Sequence, residues 1–444
     1  MTRSLVLRDV ELDGRRVDVA VNEGHVQAVG HGLAAGPDAR VIEGLGHALL
    51  PGLHDHHIHL NASAAALQSV RCGPPEVCGP NELIAVLHAA PGSGWLRGIG
   101  YHASVAGEID RAWLDSHGPA RPVRIQHRSG RLWIMNAAAL ETLGLDPRGD
   151  GRIFDGDGWL RERMGTTWPD LAPVGIALAA RGVTGATEVT PRNGISDYRR
   201  LATAGLPQRL LVMGGLELDD APPMERAVRG AVKLHYHDHD LPALDDLIAE
   251  VARAHEAGRP VASHCTTSVE LMMTLSAIEE VGAMNGDRIE HGSVVTPDNA
   301  DWIARLDLTV VSQPHFLTER GAAYLREVDV EDIPYLYRLA GLKRAGIALA
   351  AGSDAPFGAL DPWASMAAAV HRPEGFGADE ELSPEEALAL FTGQADAPAV
   401  PRRVRPGEMA DLCLIDRSWE EARRDLADVR VRLTLIGGEP AHQA

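Results

Sequence analysis

The stretch PGLHDHHIHL, residues 51–60, holds four histidines and an aspartate. On a strand alternate side chains share a face, so His57 and His59 point the same way with Cα atoms about 6.6 Å apart, near enough to meet one metal ion. Asp55 has the same parity but sits deeper, where a bracing role is expected. His54 and His56 face the other way and are read as structural or solvent-facing. Three further ionisable residues each end a run of small or apolar ones: His264 in PVASHC, His291 in DRIEHG and Asp354 in GIALAAGSD. Four histidines and a carboxylate exceed what one four-coordinate zinc and its water accept, so they suit two divalent ions, zinc first among the choices. Two ions sharing a site need a bridging anion, and Lys233 in AVKLHYH is the candidate. Burial lowers the pKa of an ammonium, and the free amine can take up carbon dioxide as a carbamate. The expected cofactors are therefore two divalent metal ions and a carboxylated lysine. His235 and His237 share the parity of Lys233 and are read either as substrate contacts or as part of a polar loop that includes His239.

These residues need a scaffold that brings strand ends together. GATEVT (185–190), RLLVMG (209–214), AVKLHYH (231–237), PVASHC (260–265), DRIEHG (287–292), LTVVSQP (308–314) and GIALAAGSD (346–354) are short apolar runs, most of them separated by amphipathic stretches such as LPALDDLIAEVARAHEAG. Strand alternating with helix implies a parallel sheet. With HALLPGLHDHHIH the runs number eight, the count of a closed β/α barrel, whose chemistry sits at the C-terminal ends of its strands. Residues 1–50 and 395–444 read as short strands around turns, paired as two halves of one β-sandwich, with the barrel in 51–394. Residues 61–180 are read as an insertion after the first strand that covers the barrel mouth and lines the pocket with Trp95, Trp133 and Trp159.

Composition removes several function classes. Against 62 acidic residues stand 42 basic ones, a formal net charge of -20, which disfavours nucleic acid and anionic membrane surfaces as partners. No apolar run reaches the roughly 18 residues needed to span a bilayer. The N-terminus turns polar too early for a signal peptide, and four cysteines in 444 residues are too few for a disulfide scaffold, so a cytoplasmic protein with free thiols is expected. The expected partner is a small molecule, with self-association into a homo-oligomer compatible with the sequence. The acidic loop RGDGRIFDGDGW (148–159) lacks the grammar of a nucleotide or calcium site and is read as solvated.

PGLHDHHIHL resembles the strand-one signature of the metal-dependent amidohydrolase superfamily. IQHRSGRLWIMNAAAL, GVTGATEV, RIEHGSVVTPDNADWIARLDLTVVSQPHFL, AGSDAPFGALDPWASMAAAVHR, LSPEEALALFTGQAD and VRPGEMADLCLID are similar to its YtcJ-like group, which includes N-substituted formamide deformylases. The resemblance implies a distorted (β/α)8 TIM barrel with a β-sandwich from both termini. It also implies an enzyme in which metal-activated hydroxide hydrolyses a C–N bond (amide, cyclic amide or N-acyl) of a small substrate. By the family's pattern His57 and His59 take the first metal and His264 and His291 the second. Carboxylated Lys233 bridges them, and Asp354 serves as ligand and proton shuttle. His127, at the end of PVRIQH, is the expected donor to the oxyanion, and Arg128 and His315 are expected to reach substrate. One departure stands out: CTTSVE replaces the small, glycine-containing turn that follows the strand-five histidine in relatives. A mononuclear deaminase is the first alternative, but such enzymes use a glutamate three residues after that histidine, where this chain has Thr267; Glu270 lies six residues on. A non-catalytic binding protein on the same scaffold is the second, and the presence of all six expected ligands argues against it.

Overall fold

The computed structural model describes residues 4–74, 76–154, 156–164 and 168–444. Eight parallel strands run side by side in the order Leu53–Ile58, Val183–Glu188, Arg209–Gly214, Ala227–Leu234, Val261–Cys265, Arg288–His291, Thr309–Ser312 and Ala348–Ala351. Every residue of the first two is buried, as expected of strands covered on both faces. The helices between strands bury one stripe each. In Leu244–Glu256 it is Leu247, Val251 and Ala254, packed in one cluster with Leu271, Leu275 and Ile278 of Ser268–Val281.

The sheet curls until its ends meet. Beyond the last strand, Asp354 N donates to His57 O at 2.7 Å, and His59 N donates to Ala355 O at 3.0 Å. The result is the expected distorted barrel, closed through these few bonds rather than through a full ladder. Closure requires a bare backbone at Gly352, where an added Cβ would lie 2.3 Å from His57 N and 2.7 Å from its Cα.

The two termini build the expected sandwich. One sheet holds Leu5–Leu12, Arg15–Asn22, His25–Gly30 and Arg40–Glu43; the other holds Leu49–Pro51, Leu412–Ile415, Val431–Ile436 and Glu439–Gln443. Alternating residues Leu5, Leu7, Val19 and Val21 of the first pack with Leu412, Leu414, Leu433 and Leu435 of the second. Asp13–Gly14 and Glu23–Gly24 turn the first sheet's hairpins with all four φ between 47° and 80°, the two-residue geometry that matches strand twist.

Asn61–Pro173 form a compact unit of their own. Its five-stranded sheet comprises Val70–Arg71, Leu96–Tyr101, Val123–His127, Leu132–Met135 and Arg152–Phe154. The tryptophans expected to line a pocket serve this unit's interior instead. Trp133 is buried with Met135, Leu140 and Leu160, Trp95 and Trp159 pack on the same cluster, and Arg124 lies 4.9 Å from the Trp133 ring centre. A unit of this size needs such large side chains for its own core. In the acidic loop Asp155 lies outside the described residues, and the helix Asp157–Met164 follows. Among the described residues no disulfide forms, and no helix is long and apolar enough to cross a membrane.

G352A puts its methyl group against backbone that cannot swing aside. It should cost about 1–3 kcal/mol in chemical denaturation and lower metal content by displacing His57. Wild-type stability and metal content in this variant would show that the seam is not tightly closed.

Candidate metal centre

The seam between the last and first strands assembles one set of ligands. His57 Nε2 and His59 Nε2 each lie 3.4 Å from Asp354 Oδ1, and all three ligand atoms fall within 4.8 Å of one another. Metal–ligand bonds of about 2.0–2.2 Å in a tetrahedron set ligand atoms about 3.3–3.6 Å apart, so the spacing fits a divalent ion. The far ring nitrogens are already engaged. His57 Nδ1 donates to the Glu290 carboxylate, and His59 Nδ1 pairs with Thr190 Oγ1 at 3.1 Å. A proton held on Nδ1 of His57 leaves the Nε2 lone pair facing Asp354, the usual outer support of a metal-binding imidazole.

The charges around this set are deeply buried. Burial pushes the Asp354 carboxyl up, but contacts from His57 and His59 outweigh it and hold the group well below the usual carboxylate range. Glu290 behaves alike: burial opposes ionisation, and Arg288, Lys233 and His57 overcome it, with Arg288 Nε donating to its Oε1 at 2.6 Å. Burial lowers the basicity of His57, yet Glu290 and Asp354 more than compensate and raise it. Two buried carboxylates around one imidazole thus call for positive charge, which a proton or a metal ion can supply.

Asp55 braces the set, as its depth in the strand suggested. Its Oδ1 accepts from His57 N at 3.1 Å and from Ser353 N at 2.9 Å, and burial pushes its carboxyl up to about 6. His54 and His56 are structural rather than solvent-facing: both are buried, and His54 Nε2 pairs with Thr187 Oγ1 at 2.9 Å. Asp354 and His291 take left-handed φ values of 48° and 69°, uncommon for residues with a side chain.

His235, His237 and His264 make a second set of converging ligand atoms. Their strand ends at Leu234, so His235 and His237 stand in the connection beyond it. Burial and the Lys233 charge lower His235 to about 4, and burial with the neighbouring His291 holds His264 lower still. Both are neutral near pH 7, the state in which imidazole binds a metal. His291 belongs to neither set. Its ring stands between them, 4.7 Å from that of His57 and 4.6 Å from that of His264, and its Nδ1 donates to Gln313 Oε1 at 2.7 Å.

The expectation of a carboxylated lysine joining two ions is corrected by this arrangement, because neither ligand set includes Lys233. Burial lowers its ammonium only to about 8, since the Glu290 charge opposes that cost. Its Nζ is buried and has no hydrogen-bond partner among the described residues. The second set needs no shared anion, because His235 and His237 supply two of its three ligands.

His315 was expected to reach substrate. It is buried, with Nε2 donating to Ser353 O at 3.1 Å and Nδ1 accepting from Ser365 Oγ at 3.0 Å, so neither nitrogen is left for a ligand. His127 and Arg128 end a strand of the Asn61–Pro173 unit, where His127 Nδ1 accepts from Ser129 N at 3.1 Å and Arg128 N donates to Tyr101 O at 2.8 Å. Thr267 caps the helix Ser268–Val281, and the Glu270 carboxylate accepts from Thr266 N at 2.7 Å and Thr267 N at 3.2 Å. Sequence reasoning missed Glu290, Arg288, Thr190 and Gln313. The signal for the first two was present: Arg288 and Glu290 share parity within a short run expected to be a buried strand, where only pairing makes two charges tolerable.

The amidohydrolase family profile matches residues 40–442. The chain belongs to the amidohydrolase family. An N-substituted formamide deformylase of Arthrobacter pascens is 25% identical over 98% of this chain and 95% of that protein. A putative amidohydrolase, YtcJ, of Bacillus subtilis (strain 168) is 28% identical over 39% of this chain and 34% of that protein. Among solved structures, an uncharacterized metal-dependent hydrolase from Pyrococcus horikoshii OT3 superposes with a TM-score of 0.76 at 21% identity, covering 93% of this chain and 97% of that one, and so shares the fold. This amidohydrolase thus carries a set of candidate metal ligands where its barrel strands end.

E290Q keeps the volume of the side chain but removes the anion that supports His57. Zinc affinity, measured by chelator competition, should fall roughly 10–100-fold, with a smaller loss in T190V. Unchanged affinity in E290Q would remove Glu290 from any part in metal binding.

Proposed function

We propose that this amidohydrolase hydrolyses a C–N bond in small N-substituted amides, cyclic amides or N-acyl compounds, and that it belongs with the YtcJ-like formamide deformylases. The observation that carries this reading is the convergence of His57 Nε2 and His59 Nε2 on Asp354 Oδ1. These three residues would hold the ion. A bound divalent cation supplies Lewis acidity toward water and toward a carbonyl oxygen. Asp354, ionised at neutral pH, takes a proton from the attacking water on a carboxylate oxygen and returns it to the leaving nitrogen. A C–O bond forms as the C–N bond breaks, and the products are a carboxylate and an amine. His291, with its Nδ1 committed to Gln313, offers Nε2 beside the reacting groups as a further ligand.

Phe357 supports a substituted amide. The residue is 59% exposed, and its ring stands edge-on to His59 with centres 5.6 Å apart. Its backbone is pinned, with N donating to Asp354 O at 2.8 Å and the carbonyl accepting from Arg320. A fixed apolar ring beside a metal ligand suits an alkyl or aryl group on the amide, in keeping with the N-substituted formamides that the Arthrobacter relative's name describes. Deamination finds less support, because Thr267 holds the position of the expected acid and Glu270 is committed to the helix cap.

Zinc-loaded protein should convert N-formyl or N-acyl amines and lactams to carboxylate and amine, or open hydantoins or imidazolones to carboxylates, in each case without free ammonia. D354N should lower turnover about 10²–10⁴-fold. Ammonia released from an aminated heterocycle with its ring intact would move the protein to the deaminases.

A separate expectation concerns Phe357. F357A should lower kcat/KM about 10-fold or more for amides with bulky apolar substituents and leave N-methyl analogues and metal content unchanged. Equal losses on both substrate classes would show that the ring does not contact the substituent.

A further inference from the structure

The candidate metal ligands stand where the barrel strands end, and the opposite end of the barrel is hollow. A cavity of about 590 Å³ lies there. Pro260, Arg288, Thr309 and Ala348 line it, and each opens or immediately precedes a barrel strand. Closed β/α barrels ordinarily fill this interior with layers of bulky branched side chains. Here the ladders put Arg288, Thr309 and Ala348 at one level, with Ala262 beside Arg288. One arginine among short side chains cannot fill a layer. Leu211, Met213 and Ala231 form an apolar wall, and Ala395, on the segment that leads to the sandwich, packs against them.

Three arginines line the cavity, and they are not equivalent. Arg259 has its nitrogens committed to Gly215 O at 2.7 Å, Gly230 O at 2.8 Å and Ala231 O at 3.0 Å. Arg229 is exposed and donates to Asp219 O at 2.8 Å. Arg288 is only 4% exposed. Its Nε donates to Glu290 and its Nη2 to His56 O at 3.0 Å, while Nη1 has no hydrogen-bond acceptor among the described residues. A buried donor left without a partner costs about 1–3 kcal/mol, so the two N–H groups of Nη1 call for an acceptor from the cavity. Asp307 and Asp396 also line this space, but both are exposed and neither bonds to Arg288.

We propose that the hollow base of the barrel is a second small-molecule site, separate from the metal centre, that takes a monocarboxylate with a compact apolar body. The carboxylate accepts from Nη1 of Arg288, and the body fills the space between Leu211, Met213 and Ala348. The volume falls within the roughly 300–1,000 Å³ of small-ligand sites and far exceeds the roughly 30 Å³ share of one water molecule. A single free guanidinium nitrogen, with Glu290 already on Arg288 and with Asp307 and Asp396 nearby, suits one negative charge better than a phosphate dianion. The guanidinium that meets the ligand is the one that holds Glu290, the support of His57, so the two ends of the barrel share one side chain.

The test uses zinc-loaded protein and 4-bromobenzoate, with 4-bromobenzyl alcohol as the neutral counterpart. Calorimetric titration should show the acid binding about 10-fold more tightly than the alcohol. Anomalous diffraction from a soaked crystal should place bromine in the cavity beside Leu211 and Ala348. Substituting Arg288 would also release Glu290, so the cavity is filled instead. A348L and T309L should abolish binding at the base without lowering the melting temperature, because each extends a side chain into open space. Any acid bound at the metal centre should persist in both variants. Bromine found only beside His57 and His59, or only ordered water in the cavity, overturns the proposal. So does a stoichiometry and affinity for the acid that is unchanged in both A348L and T309L. None of these outcomes bears on hydrolysis at the metal centre.

Discussion

Asp55 holds the ends of the barrel to each other. One carboxylate oxygen accepts from the backbone of His57 on the first strand and of Ser353 beyond the last. The bond from Asp354 N to His57 O lies immediately beside it. With no regular ladder at this seam, a few polar bonds decide where two imidazoles stand relative to Asp354. The absence of a side chain at Gly352 lets the two backbones approach closely enough to make them. The geometry of the first ligand set is thus a consequence of how the sheet closes.

Closure also places an unusual density of charge in the interior. Arg288, Glu290, Lys233, His57 and Asp354 are all buried. Breaking one member of a buried pair typically costs about 3–5 kcal/mol, so these groups are best treated as one network. Arg288 holds Glu290 ionised, Glu290 orients His57, and His57 with His59 holds Asp354 ionised. Each link turns a desolvation penalty into orientation of the next group.

The two ligand sets follow one local rule in two environments. Each begins with H-x-H on an extended segment and takes its third ligand from another strand end. The first is enclosed at the barrel seam and carries an anion; the second stands on a connection braced by Thr267 and Asp238. Burial and ligand charge, rather than ligand spacing, separate them.

Much of this was legible in the sequence. Eight apolar runs with polar ends predict a parallel barrel because buried strands must be apolar and ligands must sit where strands stop. The sandwich follows from strand patterns at both termini that have too little core alone. His57, His59, Asp354 and the bracing Asp55 can be read from parity and position, since a strand's period of two is a local property. What parity cannot reveal is which residue from a distant strand occupies the space alongside. Glu290 beneath His57 is a contact across the barrel, settled only when the sheet closes, and Thr190 beside His59 joins neighbouring strands 131 positions apart in the chain. Lys233 shows the same limit: its burial was readable, but whether that burial frees its amine depended on Glu290, a charge 57 positions away that only the folded barrel brings near.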